Sequence, residues 1–190
     1  MSSGREDQHT NDAFNADELD EFRAAKDDFF RSNLQSPLTP DQQAAFTGLA
    51  YFPEEPALRI EGSLDTDVDR DERIEMQTTT GGTQEYRRMG RVRFRVDGEE
   101  AEITLYQSEL QEELFIPFRD ATSGRETYGA GRYLEVDRPG SDGRVVVDFN
   151  YAYNPYCAYN AHWSCPLPPA ENWLRVPLRA GERNFTGEPV

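Results

Sequence analysis

Apolar and polar positions change period along this chain. Leu19, Phe22, Phe29 and Phe30 recur at helical spacing behind Asn15-Ala16-Asp17-Glu18, which has the form of a capping box. Lys26 falls inside that stripe, on the face that should be buried. It is either a stem that snorkels to water or an edge carboxylate, or an ion-paired anchor or site residue. A second, short helix is signalled by Thr39 as N-cap, Pro40 in the first position and Gln42 completing the box. Gly48 would end it, with Ala45, Phe46 and Leu49 facing the core. Tyr51-Phe52-Pro53 then leaves in extended form.

From Ala57 onward the period becomes two. Leu58, Ile60 and residues Arg73–Gln77 alternate weakly. The clearest element is a hairpin on Asp97-Gly98, a type I′ turn signal. It sets Phe94 against Ala101 and Val92 against Ile103 on one face, and Arg95 against Glu100 and Arg93 against Glu102 on the other. Further strands are predicted at Leu114–Phe118, Gly131–Val136, Arg144–Asn150 and Trp173–Leu178. Asp120–Gly124 reads as a tight turn and Asp137–Gly143 as the loop of a second hairpin. The fold class that follows is mainly β: an antiparallel sandwich or partly closed barrel with a short N-terminal helical segment. Residues 15–185 are expected to form one domain, helical over 15–50 and β over 57–180. Residues 1–14 and 186–190 are expected to be tails.

Charge alters this picture only at the surface. One lysine stands against 19 arginines and 36 acids, for a net charge of −16. A carboxylate-rich, lysine-poor surface suits a protein that stays soluble in concentrated salt, where self-repulsion is screened over about 3 Å at molar ionic strength. The acids are interspersed with the arginines throughout, so no nucleic-acid partner is expected. The chain has no run of about 18 apolar residues and no apolar signal core near its start, so a cytoplasmic protein without a membrane partner is expected.

Chemistry concentrates between Leu114 and Asn172. Asp120 and Thr122 are spaced for an Asx- or ST-type turn, or for the rim of a ligand site. Tyr128 precedes Gly129-Ala130-Gly131-Arg132, where Arg132 would bind an anion or pair with an internal acid such as Asp148. Asp148 and Asn150 share one face of their strand, so Arg132, Asp148 and Asn150 would line a pocket for a small polar or anionic ligand. Asn154 would help fix orientation, and Tyr128 and Tyr153 would be its flat walls. An enzyme on the same site would use Asp148 as catalytic general base and Arg132 as electrostatic stabiliser. The third reading is a structural or interaction module with an internal polar network. Cys157, His162 and Cys165 leave open a metal site, a disulfide, a Cys157 nucleophile or two packed thiols, of which the last is favoured. The metal spacing is atypical, and no nucleotide fingerprint is present, so no cofactor is assigned.

Three stretches resemble the DUF1684 family of uncharacterised bacterial and archaeal proteins. The first is Lys26-Asp27-x-x-Phe30 with Ser36-Pro37-Leu38 and Phe46-x-Gly48-Leu49-x-Tyr51-Phe52. The second is Phe118-x-Asp120-x-Thr122-x-Gly124 with Thr127-Tyr128-x-x-Gly131-Arg132-Tyr133. The third is Asp148-Phe149-Asn150-x-x-Tyr153-Asn154-Pro155 through Cys157-Ala158-Tyr159 to Cys165-Pro166-Leu167-Pro168-Pro169 and Asn172. The resemblance implies that Lys26, Asp120, Thr122, Arg132, Asp148, Asn150, Asn154, Cys157 and Cys165 belong to the family pattern. It implies no activity, and His162 lies outside the pattern.

Overall fold

The computed structural model describes residues 15–109 and 111–187. The N-terminal tail expected over 1–14 lies outside them, as does most of the tail expected at 186–190. Helix α1 (Ala16–Ser32) starts at Asn15, whose side chain accepts from the Asp17 and Glu18 amides. Helix α2 (Pro40–Ala45) carries the full capping box of Thr39 and Gln42. It stops short of Gly48, at Phe46, so Ala45 is exposed while Phe46 and Leu49 pack inward.

Seven strands follow among the described residues: β1 (Arg59–Ser63), β2 (Arg73–Gln77), β3 (Thr83–Val96), β4 (Glu99–Gln107), β5 (Leu114–Phe118), β6 (Arg132–Val136) and β7 (Arg144–Asp148). The β3–β4 hairpin turns at Asp97 (φ +50) and Gly98 (φ +85), the left-handed pair that a type I′ turn needs. Its register is the expected one: Phe94 opposite Ala101, Val92 opposite Ile103, Arg95 opposite Glu100 and Arg93 opposite Glu102. Strands β2-β3-β4-β5-β6 form one antiparallel sheet, curled as half a barrel, and β1 pairs with β7 in a second.

That partition corrects the sequence reading in two places. Strands β6 and β7 belong to different sheets, so residues 137–143 are a crossover and not a hairpin loop. Segment 173–178 forms no strand. Trp173 makes a single bridge, to Arg119; Leu174 and Val176 bond to the backbone of Arg119 and Ala121, and Leu178 is taken by the side chains of Asp120 and Arg132. Leu58, Val92, Ile103, Leu105, Ile116, Leu134, Val147 and Phe149 form the main core between the sheets. A separate aromatic cluster joins Phe30 of α1 to Tyr159, whose ring centroids lie 4.9 Å apart. Among the described residues no helix is long and apolar enough to cross a membrane.

Candidate functional site

Two buried ion pairs organise the polar residues singled out from the sequence. The first is sealed. Gly131 turns the chain into β6 at φ +108, where a Cβ would lie 2.5 Å from the Phe118 carbonyl oxygen. Arg132 follows and is 1% exposed. Its Nη2 donates to Asp120 Oδ2 at 2.9 Å and to the Leu178 carbonyl at 2.7 Å. Its Nη1 donates to the carbonyls of Ala180 and Glu182. Burial pushes the guanidinium pKa down, and Asp120 opposes that shift. Asp120 Oδ2 also accepts from the Leu178 amide, while Oδ1 accepts from the Thr122 amide and hydroxyl. Thr122 in turn meets Thr127 Oγ1 at 2.8 Å. Asp120 and Thr122 therefore form the local turn that the sequence allows. The internal acid for Arg132 is Asp120, not Asp148.

The expected pocket of Arg132, Asp148 and Asn150 does not form. Asn150 is 1% exposed and clips the backbone of Glu55, accepting from its amide and donating to its carbonyl. Asp148 Oδ1 caps the 3-10 turn Phe149–Tyr151 through the Asn150 amide, and this cap ends β7 before Asn150. Asp148 does line a cleft of about 440 Å³, beside Arg59, Arg138 and Arg144. Arg132, the stabiliser assigned to an Asp148 general base, is absent from that cleft. Asn154 is likewise committed, with its amide on Glu182 Oε2 and its Nδ2 on the Arg183 carbonyl.

The second pair stands at a cavity. Lys26 Nζ lies 2.6 Å from Glu182 Oε1, with the lysine side chain 15% exposed and the glutamate 1%. Glu182 Oε2 accepts from the Asn154 amide and the Tyr159 hydroxyl. The ammonium sits 4.5 Å from the centre of the Tyr153 ring. Lys26 is thus an ion-paired anchor, and its position in the apolar stripe is explained by a carboxylate far along the chain. The cavity beside it measures about 570 Å³. Phe22, Phe29 and Phe30 of α1 form one side, and Tyr133, Tyr153, Tyr156 and Trp163 the other, with Cys165 and Pro166 between them. Tyr153 donates its hydroxyl to Glu135, whose carboxyl pKa is raised by burial and held back by that bond. Of the residues proposed for ligand contact, Lys26 and Tyr153 line this cavity. Sequence reasoning passed over Trp163 and Glu182. The unpaired lysine in an apolar stripe was the signal for a buried acid.

Both cysteines are free and buried. The Cys157 amide donates to Cys165 Sγ at 3.3 Å, and the Tyr128 hydroxyl lies 3.8 Å from Cys157 Sγ. The neighbouring Cys165 thiol draws the Cys157 pKa down to about 7 against the effect of burial. The neighbouring Cys157 and burial push the Cys165 thiol upward. His162 is exposed and turned onto Asn160 Oδ1, at 2.8 Å from Nδ1, so the Cys/His/Cys spacing does not close into a ligand set. Among the described residues no cluster of three His, Cys, Asp or Glu is placed to hold a metal ion.

A family model described as "Protein of unknown function (DUF1684)" matches residues 44–183. The chain belongs to the DUF1684 family. The match takes in the sealed pair and the cysteine loop, while α1 with Lys26 precedes it. The fold is similar to the solution NMR structure of an uncharacterized protein from Haloarcula marismortui. That structure has a TM-score of 0.69 and 37% sequence identity, over 90% of this chain and 95% of the other. No curated protein matches.

Proposed function

We propose that this DUF1684 protein binds a small molecule with a flat apolar body and an anionic oxygen at one end, in the ring-lined cavity beside Lys26. The observation that carries the reading is Lys26 itself. An ammonium has three donors, and Glu182 is its one carboxylate partner among the described residues. The remaining donors lie beside a space whose walls are mainly aromatic. Rings stack on the body of such a ligand, and the ammonium meets its oxygen. Glu182 holds the ammonium in place, so little order is lost on binding. Asp120, Thr122, Arg132, Asn150 and Asn154 serve this reading as scaffold, because they bond to one another and to the backbone and none of them lines the cavity. The acidic surface, read as adaptation to concentrated salt, keeps the protein soluble without entering the site.

Anilinonaphthalene sulfonate, an aromatic anion, is a suitable probe. Titration in molar salt should give saturable, one-site binding that aromatic carboxylates compete away. Trp163→Ala, at a half-exposed position, should weaken it about tenfold with the circular dichroism unchanged. Probe binding that is non-saturable, or indifferent to both Trp163→Ala and Tyr156→Ala, would sink this reading.

A further inference from the structure

We propose that Cys157 and Cys165 form a reversible dithiol–disulfide pair, oxidised by a peroxide, whose bridge resets the Trp163 wall of the cavity. These are the chain's two cysteines, and the fold brings them together. Each is held. The Cys165 amide donates to Thr79 Oγ1 at 3.1 Å, and Cys157 opens the second residue of a 3-10 turn, Tyr156–Ala158, that fixes its backbone. The two sulfurs are not equivalent. The Tyr128 hydroxyl lies 3.8 Å from Cys157 Sγ, where a thiolate would accept it, and the neighbouring Cys165 draws the Cys157 pKa down to about 7. Cys165 lines the cavity, and Cys157 beside it is 8% exposed. This is the arrangement of an attacking thiolate with a resolving thiol beside it.

The chemistry balances with a hydroperoxide as oxidant. The Cys157 thiolate attacks one peroxide oxygen, and the O–O bond breaks. The departing hydroxide takes the proton that Cys157 released and becomes water, leaving Cys157 as a sulfenic acid. The Cys165 sulfur then attacks the Cys157 sulfur, and the S–O bond breaks. The second hydroxide leaves with the Cys165 proton as water. Two thiols are oxidised by two electrons and one peroxide is reduced. A dithiol reverses the step by exchange. The bridged loop contains Trp163, whose ring meets Tyr156 edge-on at 4.9 Å between centroids. Drawing Cys165 into a bond therefore moves that wall. The consequence for ligand affinity rests on the ligand reading above, whereas the bridge and the wall movement do not.

The test treats the full chain with hydrogen peroxide in native buffer, then adds N-ethylmaleimide in denaturant and measures intact mass. The expected result is a loss of about 2 Da, the two hydrogens of the thiols, with no maleimide attached. Tryptophan fluorescence should shift, and dithiothreitol should restore both readings. The rate should rise through neutral pH, below the ordinary thiol range. Cys165→Ser should halt at a sulfenic acid that dimedone traps, whereas Cys157→Ser should stay inert. Two maleimide adducts after peroxide, bridging only in denaturant, or a covalent dimer would each overturn the pair. An intact bridge with unchanged tryptophan fluorescence would overturn the wall movement. A bridge that shifts fluorescence while the anilinonaphthalene probe binds neither redox form would overturn the ligand reading and leave the redox pair standing.

Discussion

The Arg132–Asp120 pair and the Lys26–Glu182 pair are both buried cation–carboxylate contacts, yet only one has anything left to offer. Arg132 spends its guanidinium on one carboxylate and three carbonyls, with a side chain 1% exposed. Lys26 is held by a single carboxylate at 2.6 Å and opens onto a cavity. The two meet at Glu182, whose carbonyl serves Arg132 while its carboxylate serves Lys26. Burial by itself therefore does not mark a site. Unspent donors beside unfilled space do. A closed polar network is costly to break and fixes a unique arrangement, whereas an open one leaves chemistry available.

The largest effect should come from opening the sealed pair. Asp120→Ala leaves Arg132 charged, buried and short of its carboxylate, and should lower stability by about 3–5 kcal/mol in urea unfolding. Loss below about 1 kcal/mol would mean that the backbone carbonyls alone satisfy the guanidinium. Lys26→Met should cost less, about 1.5–3 kcal/mol, because water can reach Glu182 through the cavity. Adding Glu182→Gln to Lys26→Met should recover part of that loss. The same contrast should hold for packing. Gly131→Ala places a methyl against Phe118 O in a left-handed backbone and should cost about 1–3 kcal/mol. Trp163→Ala, on the open wall at 40% exposure, should stay below about 1 kcal/mol.

The smallest expected effect is a pH slope. Burial raises the Glu135 pKa above its ordinary 4.5, so the folded state holds that proton more tightly than the unfolded chain. Its contribution is fully present below the unfolded value and is lost as pH rises through the folded one. Glu135→Gln should flatten the urea midpoint across that window and raise it at neutral pH. An unchanged slope would show that Tyr153 and Lys26 compensate the buried charge in full.

What the sequence disclosed follows the range of the interactions. The β3–β4 register and the α2 cap were legible because Asp97-Gly98 and Thr39-Pro40 act on their neighbours. The departure of β7 to pair with β1 was not. It joins residues far apart in the chain, from Arg59 opposite Asp148 to Ser63 opposite Arg144, and nothing local announces that pairing. Segment 173–178 has the alternation of a strand but makes only scattered backbone bonds to Arg119 and Ala121, and its Leu178 is taken by Asp120 and Arg132. At the candidate site the residue types were legible and the partnerships were not. Arg132 read as an anion binder or as one half of an internal pair with an acid such as Asp148, and only the fold shows that acid to be Asp120. Lys26 in its stripe called for a carboxylate, and Glu182 gave no sign of being the one.

The Lys26–Glu182 contact also has a history in time. A chain made from its N-terminus produces α1 well before Glu182. Until residues 180–182 emerge, Lys26 lacks the carboxylate it pairs with, and the carbonyls that Arg132 needs at Ala180 and Glu182 do not exist. Such contacts are the slowest kind for a chain to find. The ammonium of α1 is thus fastened later than the aromatic side chains beside it, which already meet Leu38, Phe46 and Leu49.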